Sequence, residues 1–328
     1  MKILITGGAG YIGSHTVAEL LENGYETVTF DNLCKGHRDA VTGGGFVRGD
    51  LCSDRALLDD TLKKNGIDAI VHFAAFSLVG ESMKEPGKYF ENNITAGINL
   101  MNAAAKNKVK KIIFSSTAAV YGEPEKVPIT EDNNTIPTNA YGESKLLFEK
   151  LLNWYDYAYG IKYVSLRYFN AAGAHVSGKI GEDHSPESHL IPIVLKAAIE
   201  AKEVPVFGTD YSTKDGTCVR DYIHVSDLAM AHVLALKKLE KGGSSCIYNL
   251  GNGEGFSVRE VIEVAKKVTG CSIKQAVTQR RHGDPPALIA SSEKIKKELG
   301  WSPRHPGLET IVESAWKWHK NHPAGFTK

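Results

Sequence analysis

The chain has 328 residues, with 39 Lys+Arg against 38 Asp+Glu. That balance excludes a general attraction to nucleic acid or to an anionic membrane, and basic runs such as KNKVKK and EKIKKE read as solvated helix faces. Five scattered cysteines without a C-x-x-C predict free thiols in a reducing compartment. No apolar run is long enough to span a bilayer, and MKILITGG enters a strand at once without signal-peptide anatomy, so the cytoplasm is the expected location.

KILIT is a short apolar run with β-branched residues, ended by glycines, and reads as a buried strand. YIGSHTVAELLENG follows with Ile12, Val17, Leu20 and Leu21 at helical spacing and Gly24 as its C-terminal cap. ETVTFDN, DAIVHFAA, KKIIFSS and IKYVSLRYFN are further strands, with helical patterns such as ITAGINLMNAAAKN between them. Strands alternating with helices predict an α/β fold, a Rossmann-type doubly wound parallel sheet. After about Asn170 the rhythm gives way to Gly- and Pro-rich loops between shorter elements. The expected organisation is a dinucleotide-binding domain over 1–169 and a smaller C-terminal α/β substrate lobe over 170–328, with a segment near 219–250 returning to the first domain.

TGGAGYIG lies between the first strand and the first helix, with Gly8, Gly10 and Gly13 spaced G-x-G-x-x-G and a second register starting at Gly7. Such glycines let a pyrophosphate approach the helix N-terminus, where free N–H groups favour anions. Asp31, about twenty residues on at the end of the second strand, is placed to accept from an adenosine ribose. A carboxylate there repels a 2′-phosphate, which predicts NAD rather than NADP. Asp50 and Leu51 in GDL, the strand-end residues Phe73, Ala74 and Ala75, and Asn92 are further candidate cofactor contacts.

Tyr141 and Lys145 in NAYGESKLLFEK are one helical turn apart. A phenol titrates near 10, so acting as a base at neutral pH needs a shift of about 3 units, or about 4 kcal/mol. A neighbouring ammonium and a cationic nicotinamide ring together supply such a preference. The hydroxyl of Thr117 or Ser116, at the end of the preceding strand, is placed to hold a sugar oxygen in line. This set fits proton removal from a carbinol during hydride transfer.

TGGAGYIG, the hydroxyl in SST and Tyr-x-x-x-Lys resemble the extended short-chain dehydrogenase/reductase family. FDNLCKG, VHFAA, VGES, FSSTAAVYGE, LRYFNAAGAH, GTCVRDYIHVSDLA, YNLGNGEGFSV and RRHGDPPA follow in order. They resemble the branch that epimerises UDP-hexoses at C4, over essentially the whole chain. The resemblance implies that Tyr141 is the base and acid, Lys145 its partner and Thr117 the sugar-holding hydroxyl. It implies that Gly7, Gly10, Tyr11, Ile12, Gly13, Asp31, Asn32, Asp50, Leu51 and Asn92 hold NAD, with Tyr168 and Phe169 by the nicotinamide. It assigns the UDP-hexose to Asn170, Leu190, Phe207, Arg220, Tyr222, Arg281 and Asp284, and places Leu288 at the hexose 2-substituent. It also implies a homodimer built on helices around 87–107 and 141–159.

Ser77, His189 and Thr117 depart from the family's frequent lysine, asparagine and serine. His184, His189, His319 and His322 lack metal-ligand spacing, and no metal is expected. Two other readings compete. A nucleotide-sugar 4,6-dehydratase needs an acid and a base directly after the hydroxyl, where Ala118 and Ala119 stand. A non-catalytic NAD sensor has no need of the Thr, Tyr and Lys set.

Overall fold

Seven parallel strands form the central sheet, in the order Cys246–Leu250, Lys162–Tyr168, Lys111–Ser115, Ala69–His72, Lys2–Thr6, Glu26–Asp31, Gly45–Arg48. The computed structural model describes residues 1–281 and 284–326. Helices cover both faces of the sheet, so its strands are apolar along nearly their whole length; Ile3, Leu4 and Ile5 are all fully buried. The chain starts in the middle of the sheet, winds to one edge, and returns to fill the other. The reversal leaves a crevice beyond the carboxyl ends of Lys2–Thr6 and Ala69–His72, where open sheets of this kind bind ligands.

The second lobe packs helices Leu190–Glu200, Val258–Thr269 and Leu308–Asn321 around Val194, Leu195, Val261, Ile262, Ile311 and Val312. A three-stranded sheet sets Val219–Arg220 between Phe256–Ser257 and Ala287–Leu288. The segment near 219–250, expected to return to the first domain, divides among separate sheets. Val219–Arg220 stays in the small lobe, and the return runs from helix Val225–Glu240, which packs on helix Tyr11–Glu22, to strand Cys246–Leu250. Asp221 marks the junction: its buried carboxylate accepts from the N–H groups of Asn252, Gly253 and Ala290 and joins three crossing segments. Burial raises its pKa to about 6 despite those donors. Among the described residues no helix is long and apolar enough to cross a membrane.

Candidate active site

Helix Ala140–Tyr159 starts where Asn139 accepts from the Gly142 N–H at 2.8 Å, and it ends at Gly160 in the left-handed region. Gly142 has a second purpose. A Cβ there would lie 2.6 Å from the Ala119 carbonyl oxygen, so only glycine lets the helix press against the 3-10 turn Ala118–Tyr121. That approach sets Tyr141 beside Thr117, whose hydroxyl caps the turn by accepting from the Ala119 N–H at 3.1 Å. Burial raises the Tyr141 pKa, and the Thr117 hydrogen bond opposes that shift.

Lys145 is buried one turn later and donates to the Ser115 carbonyl at 2.9 Å. Burial depresses its pKa to about 7, against the pull of the Glu149 carboxylate. The choice between Ser116 and Thr117 is resolved here. Ser116 is fully buried and donates to Glu149 at 2.5 Å, so Thr117 is the hydroxyl beside the phenol. Glu149, a further turn along the helix, also receives two bonds from Arg167, at 2.6 and 3.0 Å. Arg167 continues to Tyr121, and Tyr121 to Asn249 at 2.7 Å. This buried network was not foreseen. Its only sequence signal was a carboxylate at position i+8 from Tyr141, on the apolar face.

The glycine loop fits a dinucleotide. Gly13 lies where an added Cβ would meet the Gly7 oxygen at 2.2 Å, whereas at Gly10 the single neighbour is the same oxygen at 3.4 Å. Gly13 thus keeps helix and loop in contact, and Gly10 leaves open space. Helix Tyr11–Glu22 has no side-chain cap, so the N–H groups of Tyr11, Ile12 and Gly13 face that space. The Asp31 carboxylate accepts from the Ala9 N–H at 3.0 Å and the Leu33 N–H at 2.8 Å. It holds the loop as well as offering lone pairs to a ribose. The Tyr11 hydroxyl is engaged by the Gly173 carbonyl at 2.7 Å, which ties the glycine loop to the second lobe.

Asn32 donates to Asp50 at 2.8 Å, and Leu51 is buried in the core beneath them. Phe73, Ala74 and Ala75 follow the fourth strand, where Ala74 backs so closely on Gly7 that a Cβ there would meet its nitrogen at 2.6 Å. Asn92 sits in a π turn, Glu91–Thr95, inside the helical run from Pro86 to Lys106, a local unwinding frequent at functional sites. Its neighbour Asn93 is the buried one and bonds Phe76 and Ser144. Tyr168 is tied by its hydroxyl to Ser115, and Phe169 follows it half-buried.

Asn170, Leu190, Phe207, Arg220, Tyr222, Arg281 and Asp284 converge on one cleft in the second lobe, although they span more than a hundred positions of the chain. Arg220 and Asp284 form an ion pair with each other, and the Arg281 guanidinium lies over the Phe207 ring, 3.9 Å from its centre. Leu288 stands outside the cleft lining, packed beside Val120, Tyr121 and Phe169. His282 and Gly283 of RRHGDPPA lie outside the described residues. The expectation that His184 and His189 lack metal-ligand spacing is corrected: both approach the buried Glu182 carboxylate, because the loop folds back on itself before helix Leu190–Glu200. His319 is buried and His322 stacks on Trp318.

The sequence profile of the NAD dependent epimerase/dehydratase family matches residues 3–251. The chain belongs to that family. NAD is its cofactor, in agreement with the glycine cradle and Asp31. The UDP-glucose 4-epimerase of Halalkalibacterium halodurans is 58% identical over 328 residues, covering 100% of this chain and 98% of that protein. A crystal structure of a UDP-glucose 4-epimerase matches with a TM-score of 0.98 at 52% identity, over 100% of both chains. The Bifidobacterium longum UDP-glucose 4-epimerase, solved in complex with NAD+ and UDP, matches at 0.94 and 42% identity, over 99% of this chain and 100% of that one.

Proposed function

We propose that the protein interconverts UDP-glucose and UDP-galactose by inverting the hydroxyl at C4 through a 4-keto sugar. The observation that carries this reading is the position of Tyr141 beside Thr117, with Lys145 buried one turn later on the same helix. Bound NAD supplies a hydride acceptor that becomes the donor for the return step. Thr117 holds the C4 oxygen, and Tyr141 takes its proton and later returns it. The buried Lys145 ammonium stabilises the phenolate through space. Return of the hydride to the opposite face requires the sugar to turn, so the nucleotide half must be the anchor. Arg220 and Arg281 are suited to its phosphates, Asp284 to its ribose, and Asn170, Leu190, Phe207 and Tyr222 to the rest of the nucleotide-sugar.

The dehydratase reading is disfavoured by Ala118 and Ala119, which carry no titratable group in the turn after Thr117. We assign the cofactor unit to 1–169 with the returning segment, and the sugar lobe to the remainder. A homodimer also fits: Trp154 and Tyr157, adjacent on the helix of Tyr141, are 70% and 86% exposed and offer an aromatic surface to a second copy. A cytoplasmic location accords with five free cysteines. Leu288 lies outside the cleft lining but packs beside Phe169, the expected neighbour of the nicotinamide, and on that placement we read it as bordering the hexose 2-substituent, which admits UDP-N-acetylglucosamine and UDP-N-acetylgalactosamine as further substrates. The deciding experiment is conversion of UDP-galactose to UDP-glucose by protein carrying its own NAD, with none added and none consumed. Absence of UDP-glucose, or stoichiometric formation of NADH, overturns the reading.

A further inference from the structure

Glu182, His184, Glu187 and His189 lie within eight residues, spaced E-x-H-x-x-E-x-H, and their ligand atoms all lie within 4.8 Å of one another. One oxygen, Glu182 Oε1, is approached by both imidazoles: His184 Nδ1 at 3.2 Å, and His189 Nδ1 in direct contact. Glu187 Oε1 stands 3.8 Å from His184 Nδ1 and accepts from the backbone N–H groups of Ser188 and His189. A second observation is independent of this convergence. Glu187 Oε2 is buried without any hydrogen-bond partner, on a side chain only 9% exposed. The Lys196 ammonium stands 3.8 Å from it, beyond hydrogen-bonding distance. A buried carboxylate oxygen that no donor reaches, on a side chain of such a cluster, is costly unless a cation completes it.

We propose that these four side chains form a binding site for one divalent transition-metal ion of the zinc type. Two neutral imidazoles and two carboxylates carry two negative charges, which a dication cancels. The donors are those zinc takes, and a tetrahedron with bonds of about 2.1 Å separates its ligands by about 3.4 Å. The His184 contacts at 3.2 and 3.8 Å bracket that spacing, and the closer His189–Glu182 contact has to open for the ion to enter. Magnesium and calcium require more oxygen ligands than the cluster offers. Four protein ligands leave no open position, so the ion is structural. It pins the 182–189 loop between two anchors: the Glu182 carbonyl, which accepts from Trp318 Nε1 at 3.2 Å, and the start of helix Leu190–Glu200. His184 meets the edge of the Tyr11 ring at 6.1 Å and His189 lines the substrate cleft, so the ion would also brace the joint between glycine loop and cleft.

The test uses the full chain, stripped with a chelator and dialysed against micromolar zinc. Bound metal is counted by mass spectrometry, and cobalt(II) serves as a spectroscopic stand-in. The site predicts one equivalent per chain, a raised melting temperature with zinc, and the intense visible absorption of tetrahedral cobalt. Glu187→Gln and His184→Gln should weaken metal binding roughly tenfold or more. If the wild type retains only a small fraction of an equivalent, the cluster is an ion-pair network only and the proposal fails. It fails equally if both variants, folded by circular dichroism, bind zinc as the wild type does.

Discussion

The Lys145 ammonium donates to the Ser115 carbonyl at 2.9 Å and stands 5.9 Å from the centre of the Tyr141 ring. The two residues that one helical turn brings together are therefore coupled by charge through space. Burial raises the phenol and lowers the amine, and the neutral form of each is favoured while no other charge is present. A buried positive charge on the bound cofactor changes that balance toward phenolate. On the proposed reaction Tyr141 would act as a base only with the site loaded, and the empty protein would be spared an ionised buried pair.

Tyr141→Phe removes only the titrating oxygen. Turnover should fall by about 10²–10⁴-fold or more, with folding and NAD content unchanged. Near-native turnover of the purified variant would show that another group moves the proton.

Lys145 governs a pH dependence of stability in the ligand-free protein. Its amine keeps a proton to about 7 in the folded chain, against an ordinary value of 10.5. Between those values the unfolded chain holds more protons, so stability rises with pH. Below 7 both states are charged and the burial penalty is fully present. Lys145→Met lacks this titration. The variant should be the more stable at pH 6–7, by roughly 3–5 kcal/mol, with the gap closing toward pH 10. Urea midpoints across that range measure it, and a gap independent of pH contradicts it.

Two glycines of one loop should respond differently. Gly13→Ala forces a Cβ to 2.2 Å from the Gly7 oxygen, and Gly10→Ala brings one only to 3.4 Å. Gly13→Ala should destabilise the fold and lose NAD together. Gly10→Ala should melt within a few degrees of the wild type and still lose NAD affinity, because its methyl fills the space the pyrophosphate requires. Equal NAD retention by Gly10→Ala and the wild type would remove Gly10 from the cradle.

Glu149→Gln leaves the Arg167 guanidinium, 5% exposed, without its carboxylate. Breaking such a pair costs about 3–5 kcal/mol. Denaturation should show that loss, and turnover should fall as well, because Glu149 anchors Ser116 directly before Thr117. A loss below about 1 kcal/mol would mean the network relaxes around glutamine.

Leu288→Tyr tests substrate range. Added bulk in a close-packed site costs about 1–3 kcal/mol, so turnover of the acetylated UDP-hexoses should fall roughly ten- to hundredfold relative to the plain pair. If the wild type ignores the acetylated pair, or the variant accepts it equally well, Leu288 does not face the 2-substituent.

Much of this site was legible as sequence because its signals are local. The first strand, the glycine turn and the helix after it are one continuous segment; the backbone freedom the turn needs is written in Gly7 and the close approach in Gly13. Tyr141 and Lys145 share a helix face by periodicity alone. Gly142 could also have been read, since a glycine in the first turn of an apolar-faced helix marks a close approach. The sequence by itself thus determined the sheet, the glycine turn and the helix face that Tyr141 and Lys145 share.

Only the tertiary structure decided between Ser116 and Thr117, because the rival hydroxyl is claimed by Glu149 from another element, and that carboxylate is held in turn by Arg167. It likewise decided that Arg220 and Asp284 meet, that helix Val225–Glu240 packs on helix Tyr11–Glu22, and that two histidines share one glutamate oxygen. Each of these depends on where distant or folded-back segments cross, and burial then obliges every polar group to find whatever partner the crossing provides. Periodicity reports the face a residue occupies, whereas its partner is fixed by the packing of the other elements against that face.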